Sequence, residues 1–147
     1  MSKFLSTLIV AGLLASSTAV VAGTETTDTT EATTETAAIV VDEALVKKGK
    51  KVFKKCKACH KVGESAKNGV GPVLNGVYGA EMASNADFKY SKGMKARAEE
   101  SATWTDENMR EFLTSPKKYV KKTKMSFKGV KEKDMDAIIE FLKSVSM

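Results

Sequence analysis

The sequence predicts an all-α fold, and three observations carry the prediction. Apolar residues recur at helical spacing in two well-separated segments, at Leu45, Val46, Val52 and Phe53 and again at Met135, Ile138, Ile139 and Leu142. Residues suited to begin helices stand at Asp42, at Thr105 and at Ser115-Pro116. No stretch alternates apolar and polar residues well enough to make a strand, and a long connecting segment is rich in glycine.

From the N-terminus, the chain falls into three parts. Lys3 precedes an 18-residue run of apolar and small residues, Phe4 to Val21, which ends in Val20-Val21-Ala22. This reads as an export signal, residues 1–22, cleaved after Ala22. An uncleaved anchor is the alternative, because a run of this length is at the lower edge of what spans a bilayer. Residues 23–38 form a Thr/Glu-rich linker with Glu25, Asp28, Glu31 and Glu35 and neither aromatics nor lysine. With almost nothing to bury, it is expected to stay disordered. Residues 39–147 number 109, enough for one domain. They hold 23 Lys and Arg against 14 Asp and Glu, so the whole-chain charge of +6 hides a domain of +9 behind an acidic leader.

Within the domain, Asp42 caps a helix beginning at Glu43. Gly49 lies inside that helix at a cost of about 1 kcal/mol relative to alanine. Its missing side chain suits close contact with another helix. The candidate partner is the segment Asp134 to Ser144, with Met135, Ile138, Ile139 and Leu142 on one stripe and Phe141 beside it. Between them, Val62 to Gly79 contains Gly63, Gly69, Gly71, Gly76 and Gly79 and is expected to be loop. Thr105 caps a short helix through Leu113, with Asp106 and Glu107 well placed in its first turn. Another helix starts at Ser115-Pro116, proline being suited to a first helical position.

Every cysteine and the only histidine of the chain stand together in Cys56-Lys57-Ala58-Cys59-His60. This is the attachment pattern of c-type haem. On a helical turn, positions i, i+3 and i+4 share a face, so Cys56, Cys59 and His60 converge on one object. The thiols can add to the two vinyl groups of a porphyrin as thioethers while the imidazole reaches the iron. The alternatives are half a zinc site, a dithiol redox pair or coincidence. A structural zinc site needs four protein ligands, and no further Cys or His is present. A thioredoxin-like dithiol needs a βαβ context, which is missing. One haem c, bound through Cys56 and Cys59, is therefore the expected cofactor.

An iron held by one histidine takes a sixth ligand or keeps an open position, and that choice separates a carrier from a catalyst. Of seven methionines, Met1 and Met147 are terminal. Met82, Met94, Met109 and Met135 fall in loops or helix patterns where a core or surface role is the default. Met125 differs, lying in Lys122-Thr123-Lys124-Met125-Ser126-Phe127 after a short helix, without a helical apolar stripe.

Further landmarks surround these residues. Gly49-Lys50-Lys51-Val52-Phe53 leads into the cysteine–histidine motif, followed by Val70-Gly71-Pro72-Val73-Leu74-Asn75-Gly76-Val77-Tyr78-Gly79 and then Phe88-Lys89-Tyr90-Ser91. Next come Trp104-Thr105, Ser115-Pro116-Lys117-Lys118-Tyr119-Val120, Thr123-Lys124-Met125 and a terminal Asp136-Ala137-Ile138-Ile139-Glu140-Phe141-Leu142. In this order, over residues 43–145, the chain resembles the class I cytochromes c, specifically the mitochondrial cytochrome c and bacterial cytochrome c2 group.

The resemblance implies a single cytochrome c domain over residues 39–147. Its N- and C-terminal helices would pack together around covalent haem, with Gly-rich loops. It implies His60 and Met125 as the iron ligands, a pair that raises the reduction potential relative to more basic ligands. It implies that the Pro72 carbonyl accepts the imidazole N–H and fixes the orientation of His60. Tyr90, Trp104 and Thr123 match donors to a buried propionate, which needs such partners; plain packing is the alternative for Tyr90 and Trp104. Leu74, Phe127 and Leu142 match the pocket wall. Three positions depart from the pattern. Ala80 stands where many relatives carry an arginine, Phe112 where relatives often have a tyrosine, and Lys121-Lys122 where a Pro-Gly turn is familiar. The last change adds two charges and loosens the ligand loop.

Lys54, Lys55, Lys57 and Lys61 surround the haem motif, and Lys117, Lys118, Lys121, Lys122, Lys124 and Lys128 surround the methionine loop. A basic ring there steers the domain towards acidic partners. Those partners are expected to be membrane redox complexes: a cytochrome bc1-type donor, and an oxidase or photosynthetic reaction centre as acceptor. Anionic lipid is a secondary contact, and no nucleic-acid motif accompanies the lysines. The function expected is a periplasmic, monomeric one-electron carrier between a quinol–cytochrome c oxidoreductase and a terminal oxidase or reaction centre, and not an enzyme. A peroxidase-like enzyme or gas sensor with a labile Met125 is an alternative, but it lacks a second histidine for distal acid–base chemistry. The same carrier tethered by residues 4–21 is the other alternative.

Overall fold

Two amphipathic helices from opposite ends of the domain pack against each other and frame everything between them. The computed structural model describes residues 40–101 and 103–147; the expected signal, residues 1–22, and the linker, residues 23–38, lie outside them. Helix α1 (Glu43–Val52) starts at the expected cap, the Asp42 carboxylate accepting the N–H groups of Ala44 and Leu45 at 2.8 and 3.0 Å. Such a cap contributes about 1 kcal/mol. The rest of α1's stability comes from packing, because a ten-residue helix this rich in lysine is marginal alone. It packs on α5 (Met135–Ser144), entered through a 3₁₀ turn at Glu132–Asp134. Met135, Ile138, Ile139, Phe141 and Leu142 of α5 are all buried, as the apolar stripe requires.

Gly49 sets the spacing of this seam. A Cβ there would overlap the Ala137 carbonyl oxygen and the Phe141 Cβ, so only glycine lets α1 seat on α5. Next to it the Phe53 and Phe141 rings meet at 4.9 Å between centroids, tilted by 42°, a pair worth about 1 kcal/mol beyond its buried area. Polar ties close the edges: Lys48 Nζ donates to the Lys133 carbonyl at 2.8 Å, and the Asp42 N–H donates to Glu140 Oε2 at 3.0 Å.

The middle of the chain supplies α2 (Lys92–Glu100), α3 (Asp106–Thr114) and α4 (Pro116–Tyr119). Helix α3 has the expected cap, Thr105 Oγ1 accepting the Asn108 N–H at 3.3 Å, and it buries Met109, Phe112 and Leu113. Arg110 and Asp136 form an ion pair that links α3 to α5. Helix α2 was not among the expected elements. Ser91 caps it, accepting the Met94 N–H at 3.1 Å, and none of its residues is fully buried. Val62 to Gly79 is loop and turn, pinned by Gly76 N–H to the Val145 carbonyl and Tyr78 N–H to Ser146 Oγ, both at 3.0 Å. Among the described residues there is no strand, only an isolated bridge between Glu81 and Thr103. No described helix is long and apolar enough to cross a membrane.

Lys122 adopts φ +58°, the left-handed region. This costs an L-residue roughly 1–2 kcal/mol, part of which glycine gives back through its freer unfolded chain. Lys122→Gly is therefore expected to stabilise the protein by about 0.5–1 kcal/mol. The readout is a higher urea midpoint at unchanged slope. A lower midpoint would mean that the lysine side chain contributes more than its backbone costs.

Candidate functional site

The site begins where α1 ends. Phe53, 1% exposed, anchors a 3₁₀ turn at Phe53–Lys55, and the Cys56 N–H donates back to the Phe53 carbonyl at 2.8 Å. The Cys59 and His60 N–H groups then both donate to the Cys56 carbonyl, at 3.0 and 2.9 Å. Cys56 to His60 is thus one helical turn, the conformation in which two thiols and an imidazole share a face. Burial pushes the Cys56 thiol above its ordinary pKa, partly opposed by the charge of Lys55.

The loop after the motif locks the histidine. His60 Nδ1–H donates to the Pro72 carbonyl oxygen at 2.7 Å. With Nδ1 carrying the proton, Nε2 presents its lone pair to a metal. Gly71 lies against the imidazole, and a Cβ at that position would overlap the ring. The Gly71 N–H bonds the Cys59 carbonyl at 2.9 Å and the Leu74 N–H bonds the Lys61 carbonyl at 3.0 Å, so motif and loop are stitched together on both sides of His60.

All eight residues singled out in the sequence, Cys56, Cys59, His60, Pro72, Tyr90, Trp104, Thr123 and Met125, line one mostly apolar cavity of about 370 Å³. Leu74, Phe127 and Leu142 line it too, as do Phe112 and Ile138. Thr123 Oγ1 accepts the Met125 N–H at 3.2 Å, which leaves the hydroxyl hydrogen to donate elsewhere. Burial holds the Tyr90 phenol above its ordinary pKa, keeping it a donor. Trp104 is buried against Phe112, with centroids 5.1 Å apart, and stacks with Tyr119 at 6.5 Å.

Two thioethers without an expected site role also reach this cavity. Met94, on the unexpected helix α2, and Met109, 3% exposed on α3, line it beside Met125. Lys55, Lys89 and Lys124, all exposed, contribute to its lining, and Val70, 81% exposed, adds an apolar patch there.

An apolar cavity bearing two thiols, an imidazole of fixed tautomer and a loop thioether suits an iron porphyrin. These soft and borderline donors do not suit a cation that needs oxygen ligands. Among the described residues no three His, Cys, Asp or Glu side chains gather into a separate metal cluster. Fold and site together define an all-α domain built to hold haem covalently.

The sequence matches the Cytochrome c family over residues 46–146. It is 50% identical over 101 residues to a cytochrome c2 of Afifella marina, covering 68% of this chain and 82% of that protein. It is 45% identical over 98 residues to a cytochrome c-550 of Ancylobacter novellus, covering 66% and 92%. Among solved structures it is similar to cytochrome cH from Methylobacterium extorquens, with TM-score 0.60, 40% identity and coverage of 67% of this chain and 97% of that one. The structure of cytochrome c2 from Rhodospirillum centenum gives TM-score 0.63 at 36% identity, with coverage of 67% and 96%. The chain belongs to the cytochrome c family, in its bacterial cytochrome c2 group. It carries one haem c bound through its two cysteines and works as a one-electron carrier.

Proposed function

We propose that this chain carries electrons in the periplasm and that His60 and Met125 would hold its haem iron in both redox states. The observation that carries the reading is the convergence of His60, oriented by Pro72, and Met125 on one apolar cavity. The haem would supply an Fe(III)/Fe(II) couple. His60 and Met125 would hold the metal, and the Pro72 carbonyl, which accepts the His60 Nδ1–H, keeps the imidazole from turning. Tyr90, Trp104 and Thr123 would donate to a propionate that the cavity takes out of water, lowering the cost of burying its charge. Phe53, Ile138 and Leu142 exclude water, and exclusion of solvent favours the less charged ferrous site.

The lysines do the steering. Lys55 and Lys124 belong to the two basic clusters and both reach the cavity, so an acidic face is drawn to the side where electrons leave. The donor is a quinol–cytochrome c oxidoreductase, and the acceptor a terminal oxidase or reaction centre. Residues 1–22 direct export and are removed after Ala22, releasing the carrier from the membrane. The mass of the purified mature protein tests that cleavage.

A redox titration of the exported holoprotein is expected to follow a one-electron Nernst curve reversibly. Its second-order rate with an isolated oxidoreductase is expected to fall steeply as salt rises. At low salt, Lys55→Glu with Lys124→Glu lowers that rate roughly tenfold or more, and at high salt the difference closes. A rate indifferent to both salt and charge reversal would contradict the docking side assigned to the lysines.

A further inference from the structure

Helix α2 contributes no fully buried residue to the core, yet it touches the ligand-bearing segment at two points. Gly93 lies against the backbone of Lys121: a Cβ there would overlap the Lys121 carbonyl oxygen and crowd its carbon. One turn further on, the Arg97 guanidinium carbon sits 4.2 Å from the centroid of the Tyr119 ring. Arg97 is held there by Glu100 at 2.8 Å, and its side chain is only 27% exposed. Tyr119 is the last residue of α4, and its ring stacks on Trp104 and meets Phe112 edge-on at 5.9 Å. Arg97 therefore closes an aromatic stack that ends on the cavity wall.

The segment that follows packs Met125 and Phe127 on the core and seats Gly129 on the Thr114 carbonyl, but it has few hydrogen bonds to hold it between these points. Among the described residues, the hydrogen bonds made by 121–129 are local, Thr123 N–H to the Val120 carbonyl and Met125 N–H to Thr123 Oγ1. The next tie to a distant residue is Val130 N–H to the Leu113 carbonyl at 2.7 Å. Lys122 is meanwhile in a backbone conformation that lysine disfavours. Lateral contact with α2 supplies the restraint that the loop's own hydrogen bonds do not.

We infer that α2 is a brace for the methionine loop, in which Gly93 and Arg97 act as positioning residues that set how readily Met125 leaves the iron. The inference rests on the reading of Met125 as axial ligand. Gly93 lets the helix seat on the Lys121 carbonyl, and Arg97 clamps Tyr119, the residue from which the loop departs. Without the brace the loop opens more often while the α1–α5 frame is untouched. An added ligand that competes with Met125 then binds more tightly, because affinity scales with the open fraction.

The test uses ferric holoprotein, imidazole as the competing ligand, and the near-infrared methionine-to-iron band as the report of Met125 ligation. Arg97→Ala is expected to raise imidazole affinity roughly two- to thirtyfold, the range a cation–π contact spans. Arg97→Lys, which keeps a cation on the ring, falls between that and wild type. Gly93→Ala forces the loop aside and gives at least as large a rise, and Lys95→Ala, exposed on the same helix, gives none. A role confined to packing would lower the urea midpoint and leave imidazole affinity alone. Wild-type affinity in both Arg97→Ala and Gly93→Ala, with the band present in the wild type, overturns the brace and leaves the ligand assignment standing. Should Gly93→Ala not fold, Arg97→Ala with its lysine rescue decides alone. A wild-type protein without the band overturns the ligand assignment and the brace with it.

Discussion

A protein with alanine at both Cys56 and Cys59 is expected to release all its haem into acidified organic solvent, whereas the native protein keeps its haem on the unfolded chain. The effect is all-or-none because the thioethers are the only covalent hold and these are the chain's only two cysteines. Each single variant retains one bond and keeps the haem attached. In the folded double variant His60 still points Nε2 into the cavity, since the Pro72 carbonyl that orients it is untouched. A coloured but extractable protein is the signature. Mass spectrometry of the denatured chains reads the result, and haem mass remaining on the double variant would place the attachment elsewhere.

Gly49→Ala is expected to destabilise the protein by about 1–3 kcal/mol, and Gly49→Val by more. The sign is the informative part. In an exposed helix, alanine at a glycine position gains about 1 kcal/mol from propensity. Here the added methyl meets the Ala137 carbonyl oxygen and Phe141 Cβ across the α1–α5 seam, so packing must outweigh propensity. Valine adds branching that a helix also disfavours. Urea midpoints of the holoproteins measure the effect. A stabilised Gly49→Ala would mean that the two helices sit further apart than this structure has them.

The parts of the fold that the sequence shows are those in which one residue type has one physical use. Asp42 and Thr105 cap helices because their side chains can accept orphan N–H groups, and both do so. Gly49 looked out of place in a helix, and the missing Cβ turned out to be the contact itself. The α5 stripe is buried from end to end. Helix α2 lacks a strong apolar stripe: only Met94 and Ala98 pack on the core, and neither is fully buried. Ser91 and the run Met94-Lys95-Ala96-Arg97-Ala98-Glu99-Glu100 predict it from capping and propensity alone, a weaker signal than periodicity.

The candidate site divides in the same way. Cys56, Cys59 and His60 are legible because spacing on one turn dictates convergence, and Pro72 only through the family resemblance; the contact of Gly71 with the imidazole is seen only in the structure. That Met94 and Met109 share the cavity with Met125 could not be read from either sequence neighbourhood, since each depends on how a helix is turned against the core. Lys121-Lys122 stands where the family resemblance would have Pro-Gly; in the structure Lys122 adopts φ +58° and Lys121 lies against Gly93 of α2.

With three thioethers on one cavity, the identity of the sixth ligand is the point on which the carrier reading turns. The decisive measurement is the near-infrared methionine-to-iron band of the ferric protein in wild type, Met125→Ala, Met94→Ala and Met109→Ala, with carbon monoxide binding to each ferrous form. The account predicts the band in all but Met125→Ala, and prompt carbon monoxide binding only in that variant. A band that survives Met125→Ala but vanishes in Met94→Ala or Met109→Ala would contradict the assignment. A wild type with no band and ready carbon monoxide binding would contradict the carrier with both ligands kept.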